Sequence, residues 1–267
     1  MTIDNNMNYI NNINNTTNST LEKLSSGLAI NKASDDASGL AIADKLGVQK
    51  SSMAQSIDNF SSGIAMSNIA QDSISEQKTL LENIKTETLK AMNGTTSTEG
   101  REAIAEQINK YIDQYEQIAD QTNYNGESLL KTNGDSSDDL SIVAEDSIVE
   151  LQKSDTTSIS DKLKSFMGDF VSNPSSMDSL LDTVDEGIGQ LASFASDYGS
   201  ASNSLESMAR NYMSAQTNLA NAQSEIADAD ISKMVTEFSK TDLQSQLGYL
   251  VQSQANAVQQ RTVALLS

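Results

Sequence analysis

Cysteine, histidine and tryptophan are missing from this chain of 267 residues, the one proline is Pro174, and aromatic residues make up only 4%. Without cysteine there is no disulfide framework, thiolate zinc site or thiol nucleophile. Without histidine no Ser-His-Asp triad can be assembled. No GxxxxGK phosphate loop or zinc-ligand spacing occurs, so the chain reads as a non-enzyme with no cofactor and no metal. The acidic tract Asp135–Asp139 lacks the spacing of a calcium loop and its closing glutamate. No apolar run reaches the ~18 residues that span a bilayer, so membrane insertion is not expected. The opening MTIDNNMNYINNINN has no basic stretch leading into an apolar one, so a cleaved secretory signal is not expected either. Positive charge is scarce: 17 Lys and Arg against 37 Asp and Glu leave a formal charge of −20. Phosphate contacts need cationic neutralisation, which makes nucleic acid and anionic membranes poor partners.

What the chain does have is apolar residues every three or four positions over 1–120 and 175–267, on either side of a short middle rich in Ser and Asp. Few aromatics beside many Ala, Ser, Asn and Gln suit helices with narrow apolar seams. The expected fold is mainly α: an elongated antiparallel helical bundle or coiled coil, a small β-hairpin in the middle, and terminal helices that pair with each other. Ile3, Met7, Ile10, Asn14, Thr17, Leu21, Leu24 and Leu28 alternate by four and three, a heptad seam with two polar positions. Polar seam residues weaken an isolated helix and favour one register, so residues 1–20 are expected to be ordered mainly by packing.

Gly27 can supply a left-handed cap. Ser34 is placed as the N-cap of the next helix, with Asp35 and Asp36 in a first turn whose dipole favours negative charge. This run continues to Asn93-Gly94 on a seam of Ile74, Gln77, Leu81, Ile84, Thr88 and Ala91. A helix over about 100–121, with Ile104, Ile108, Tyr111, Tyr115 and Ile118 inward, folds back as an antiparallel hairpin and stops at Asn123-Tyr124-Asn125-Gly126. Leu140–Val143 and Ile148–Leu151 read as strands around Glu145-Asp146-Ser147. Residues 152–173 read as a loop with one short helix around Lys162–Val171, and Pro174 opens the next helix. Leu205, Met208, Tyr212, Ala215, Leu219, Ala222, Ile226 and Ala229 then carry heptads, followed by Leu243, Leu247, Leu250, Gln254, Ala257, Val258 and Leu265. At ~1.5 Å per residue such helices make a rod, and their ends must pair with one another or with copies of the chain.

These residues also carry a resemblance. LSSGLAINKASDDASGLAIA at Leu24–Ala43, including Ser26, Gly27, Asn31, Asp35, Asp36 and Gly39, closely resembles the N-terminal signature of bacterial flagellins. ADQTNYNG at Ala119–Gly126, with Asn125 and Gly126, is similar to that family's helix end. LANAQSEIADAD at Leu219–Asp230, with Asp228 and Asp230, and QANAVQQRTVALL at Gln254–Leu266, with Gln254 and Asn256, resemble its C-terminal signature. The QANAVQQ ending is shared with flagellins of the Campylobacter-like group.

The resemblance implies a short flagellin with a minimal variable domain. Such a subunit is exported unfolded through the flagellar type III apparatus and self-assembles into the extracellular filament that drives motility. It implies that 1–32 and 230–267 form a paired-helix inner tube. The terminal assembly seam would be Ile3, Met7, Ile10, Leu21, Leu24, Leu28, Leu243, Leu247, Leu250, Val258 and Leu265. Residues 33–173 and 174–229 would form the helical rod region, with a short variable hairpin and loop at 131–173. The implied partners are other copies of the chain, an export chaperone on the C-terminal region, and the filament cap and hook-junction proteins. A hook–filament junction protein, which shares the helical termini, is the alternative.

Three departures from the family pattern stand out. The arm before Leu24 is shorter by about one heptad. Ala29 and Glu225 stand where the family carries arginine, which removes positive charge from expected subunit contacts. Asn83, Glu87 and Gln107 occupy the positions matching an arginine, a leucine and a glutamate that the innate receptor TLR5 contacts. A charge at the apolar anchor implies weak receptor activation.

Overall fold

The computed structural model describes residues 3–132 and 140–266; the tract Asp135–Asp139 lies outside them. In chain order the elements are α1 (Ile3–Ser26), α2 (Ala33–Met92), α3 (Thr98–Gln121), β1 (Asn123–Tyr124), β2 (Glu127–Ser128), β3 (Leu140–Val143), β4 (Ile148–Leu151), α4 (Thr157–Met167), α5 (Pro174–Ala227) and α6 (Ile231–Leu266). The chain divides into two units, residues 1–51 with 215–267 and residues 52–214, and the cuts fall inside α2 and α5.

The unit of residues 52–214 holds the main core. Ile74, Gln77, Leu81, Ile84, Thr88 and Ala91 are all buried, as the heptad spacing predicts. Gln77 Nε2 donates to the Tyr115 carbonyl (3.1 Å) and Arg101 Nε to the Ala91 carbonyl (3.1 Å), so α2 and α3 run antiparallel. On α3 the buried face is Ile108, Ile112, Tyr115 and Ala119, not the expected row through Tyr111 and Ile118, which are half-buried. The cause is a second neighbour: Lys164 of α4 pairs with Glu116 and Asp113, so α3 turns its buried stripe between two packing partners. α4 itself starts at Thr157, upstream of the expected helix. There the Asp155 carboxylate accepts from the Thr157 amide (3.0 Å) and hydroxyl (2.6 Å), and Ile159 and Leu163 bury the face that follows.

The stop at Asn125-Gly126 is more than a helix end. Both residues take positive φ (51° and 87°), the pair of left-handed conformations a type I′ turn requires, and they close the two-residue strands β1 and β2. Strands so short carry no alternation that a sequence can display. The second hairpin, β3–β4, matches its expected limits, with Leu140 opposite Leu151 and Ile142 opposite Val149. It is fastened to α2 by Asn59 Nδ2 donating to the Val143 carbonyl (2.8 Å) and by the Glu145 amide donating to Ser56 Oγ (3.1 Å). Gly63 makes this approach possible, since a Cβ there would run into Ile142 Cδ1 and Leu205 Cδ1. From α5, Met177, Leu180, Val184, Leu191, Tyr198, Leu205 and Ala209 complete the core at helical spacing. The rings of Phe60 and Tyr212 meet edge to face, 5.2 Å apart.

Two buried phenols give this core a pH limit. Tyr198 donates to the Leu129 carbonyl (2.9 Å), whereas the Tyr115 hydroxyl makes no well-formed hydrogen bond and has only Thr156 near it. Burial raises both phenols above their ordinary value of 10.0, so the folded chain keeps protons that the unfolded chain has released. This contribution to stability is full below about pH 10 and is lost as pH rises above it. Tyr115→Phe should therefore move the alkaline unfolding midpoint, followed by far-UV circular dichroism, to higher pH. A midpoint unchanged by the substitution would count against this assignment.

In the other unit, α1 and α6 pair antiparallel, and the first part of α2 meets the last part of α5. Lys50 Nζ donates to Gln223 Oε1 (2.8 Å), Gln223 Nε2 to the Ala43 carbonyl (3.2 Å) and Gln216 Nε2 to the Lys50 carbonyl (3.4 Å). Ala215, Leu219, Ala222 and Ile226 are half-buried along this contact.

Candidate assembly surface

The region between α1 and α2 is a set of caps. Gly27 takes φ +73° and its amide donates to the Lys23 carbonyl (2.9 Å), the left-handed cap expected there. Ser26 Oγ accepts from the Leu28 amide (3.2 Å) and from Asn31 Nδ2 (2.8 Å). Asp35 Oδ2 accepts from the amides of Asn31 and Lys32 (both 3.0 Å), and Asp35 Oδ1 lies 3.2 Å from Lys23 Nζ. The Asn31 amide, assisted by Lys23 and the Lys32 amide, holds the Asp35 carboxyl below the usual carboxylate range.

The residue that caps the long run of α2 is Asp36, at a break three residues inside the element, not Ser34. Asp36 sits at φ −160°, ψ 103°, outside helical conformation, and its Oδ1 accepts from the amides of Ser38 (3.0 Å) and Gly39 (2.9 Å). A carboxylate two and three residues ahead of those amides satisfies them better than a hydroxyl placed one turn too early. Gly39 is required by closeness, because a Cβ there would stand 2.6 Å from both Asp36 Oδ2 and Ile30 Cδ1. Asp36→Ala is expected to cost about 1 kcal/mol and to speed hydrogen exchange at Ser38 and Gly39, while Asp36→Asn keeps an acceptor and stays close to the parent. Equal exchange in all three proteins would refute the capping role.

The matching junction between α5 and α6 is built the same way. Asp230 Oδ1 accepts from the Lys233 amide (3.1 Å), capping α6, and the Asp228 carboxylate accepts from Ser224 Oγ. The two junctions are tied to each other: the Ala29 amide donates to the Ala227 carbonyl (2.7 Å) and the Ala229 amide to the Gly27 carbonyl (2.9 Å). This two-bond antiparallel bridge, centred on Leu28 and Asp228, has no side-chain signature and was not foreseen. Ala29 and Glu225, which replace expected arginines, stand beside it, and Glu225 is exposed.

The α1–α6 contact takes in only part of the apolar row expected as the terminal assembly seam. α1 contributes Ile10, Ile13, Thr17, Thr20 and Leu24, and α6 contributes Thr241, Ser245 and Gly248. Met7 (55% exposed), Leu21 (49%), Leu243 (59%), Leu247 (60%), Leu250 (62%) and Val258 (59%) stay outside it, Leu28 is half-buried, and the side chains of Ile3 and Leu265 lie outside the described residues. The reason is steric: a Cβ on Gly248 would meet Ile10 Cγ1 at 3.0 Å, so the helices touch through small and hydroxyl residues and turn the large ones away. The hydroxyls bond backward, Thr17 to the Ile13 carbonyl (2.9 Å) and Thr20 to the Thr16 carbonyl (2.9 Å). Leu243, Leu247, Leu250 and Val258 recur at helical spacing, so α6 presents an outward apolar stripe in the single chain. Gly248, the one glycine in α6, was the available sign of a close helix approach.

The remaining positions are spread out. Gln254 and Asn256 are exposed on α6, and Asn256 Oδ1 accepts from Gln252 Nε2 (3.3 Å). The α2–α3 register sets exposed Asn83 and half-buried Glu87 at the level of half-buried Gln107. Glu87 is paired with Lys90 at 2.7 Å, so a partner closing over it would cover an ion pair, not a lone charge.

Two family models match the chain: the bacterial flagellin N-terminal helical region over residues 1–135 and the bacterial flagellin C-terminal helical region over 181–266. A flagellin of Halalkalibacterium halodurans is 29% identical over 248 residues, which cover 92% of this chain and 90% of that protein. Flagellin A of Helicobacter mustelae is 44% identical over 111 residues, 42% of this chain and 22% of that one. Among solved structures, the crystal structure of Bacillus cereus flagellin aligns with a TM-score of 0.52 at 21% identity, covering 62% of this chain and 94% of that one. At this identity the likeness speaks for the fold.

Proposed function

The chain belongs to the bacterial flagellin family, and on that premise we propose that its terminal segments, 1–32 and 230–267, form the inner tube of the filament, with 33–173 and 174–229 around them as the helical rod. It is a structural subunit of the extracellular flagellar filament and polymerises with copies of itself. The observation that carries the inner-tube reading is the outward row Leu243, Leu247, Leu250 and Val258, which the chain's own α1 leaves uncovered. A stripe of that kind on a highly charged chain is a contact surface, and repeated non-closing contacts between identical subunits build a helical polymer. Before polymerisation the same stripe is the fitting place for an export chaperone, and at the growing end the cap and hook-junction proteins would meet the same helices.

Negative-stain microscopy with sedimentation across a salt series tests this reading. Long filaments are expected, with yield rising with salt. The charge of −20, with alanine and glutamate in place of two arginines, makes subunits repel until screened. Monomers under polymerising conditions would favour the junction-protein reading, and a salt-independent yield would show that the missing arginines are compensated by packing alone. We also propose weak TLR5 activation through Asn83, Glu87 and Gln107; potent activation in a reporter-cell assay would overturn that.

A further inference from the structure

We propose that Asn14 sets the register of α1 on α6, acting with Ser245 and Tyr249. The Asn14 side chain is engaged at both ends: Nδ2 donates to the Tyr249 hydroxyl (2.9 Å) and Oδ1 accepts from Ser245 Oγ (2.9 Å). It sits in the middle of the seam, one turn beyond the place where Ile10 packs over Gly248. The bridge at Leu28 and Asp228 pins one end of the seam, and beyond it the Ile10–Gly248 contact by itself discriminates poorly between registers. A slip of one heptad would set Ile3 or Thr17 over Gly248, and an isoleucine fits there as well as Ile10 does.

The amide has no such substitute. The heptad equivalents of Asn14 are Met7 and Leu21, so a slip in either direction puts an apolar chain against Ser245 and removes both hydrogen bonds. Ser245 is buried, which makes the loss of its partner unfavourable. A polar residue in a helical seam that bonds specific partners across it is a well-attested way of fixing alignment, and Asn14, half-buried among the hydroxyls of this seam, is the one amide that bonds to both Ser245 and Tyr249. The functional consequence rests on the filament-subunit reading: the register decides where Leu243, Leu247 and Leu250 stand relative to Met7 and Leu21, hence the shape of the surface offered to the next subunit.

The chain's lack of cysteine allows a direct test. Full-length protein carrying Ile10→Cys with Gly248→Cys reports the native register, and Ile10→Cys with Thr241→Cys or Ala255→Cys reports a one-heptad slip. Each pair is oxidised in the dispersed chain and in sedimented polymer, and intramolecular products are separated from dimers by gel mobility. With Asn14 present, only the 10–248 pair should close. With Asn14→Leu, and with Ser245→Ala plus Tyr249→Phe, the 10–248 product should fall and a slipped product should appear. A sole 10–248 product in both variants overturns the proposal. Loss of every product in both variants overturns it too, since Asn14 would then serve stability and not alignment. Because the crosslinks are read inside one chain, a failure here leaves the filament reading untouched, and a failure to polymerise leaves the register readable.

Discussion

Leu247→Lys with Leu250→Lys is expected to abolish polymerisation while leaving the chain folded. Both side chains are about three-fifths exposed in the single chain (60% and 62%), so neither supports the α1–α6 seam, which runs through Thr241, Ser245 and Gly248. Full burial of a leucine is worth about 1.5–3 kcal/mol, so covering what remains exposed on two of them contributes roughly 2–4 kcal/mol per subunit contact. Each 1.4 kcal/mol is a factor of ten, so the critical concentration should rise roughly 30- to 700-fold before the cost of burying two ammonium groups is counted. Sedimentation across a concentration series reads the change, and a thermal melt checks that the fold persists. Polymerisation at the parental concentration, with melting unchanged, would remove this row from the assembly surface.

The second large effect falls on the other unit. Phe60 is fully buried on α2 and its ring meets Tyr212 of α5 edge to face. Phe60→Ala removes the ring and leaves a cavity that two long helices cannot close by themselves, a change that costs about 3–5 kcal/mol. For a unit of this size that corresponds to a fall of roughly 6–20 °C in the melting midpoint. Differential scanning calorimetry would show it as a shift of one transition. If the midpoint moves by no more than an exposed substitution would move it, Phe60 and Tyr212 are not part of the cooperative core.

Much of this architecture is written in local periodicity. The seam Ile74–Ala91, the strands Leu140–Val143 and Ile148–Leu151, and the start at Pro174 could all be placed because each depends on near neighbours: helical spacing, a turn, a preset φ. What stayed hidden depends on which partner an element meets. The face of α3 turned because α4 shares it, and α4 began early because of Asp155. Leu243, Leu247 and Leu250 read as a terminal assembly seam because they are the large apolar residues of α6. A notch at Gly248 and hydroxyls at 241 and 245 can bring helices closer than leucines can. The apolar row of α6 was thus legible, but not that α6 meets α1 along another face of the helix. Signature residues such as Asp35, Asp36 and Gly39 could be listed from the pattern, whereas their work as caps and close contacts became visible only with the backbone in place.

The bridge at Leu28 and Asp228 fastens two points 200 positions apart in the chain. Everything between them is therefore a single excursion that departs from and returns to one place. Closing such a loop depends only weakly on its length, with each doubling adding about 0.6 kcal/mol. Material added to or removed from the excursion, most simply around residues 131–139, leaves the anchorage of α1 and α6 where it is. A chain of this design can change the size of its excursion without altering the two ends that the bridge holds together.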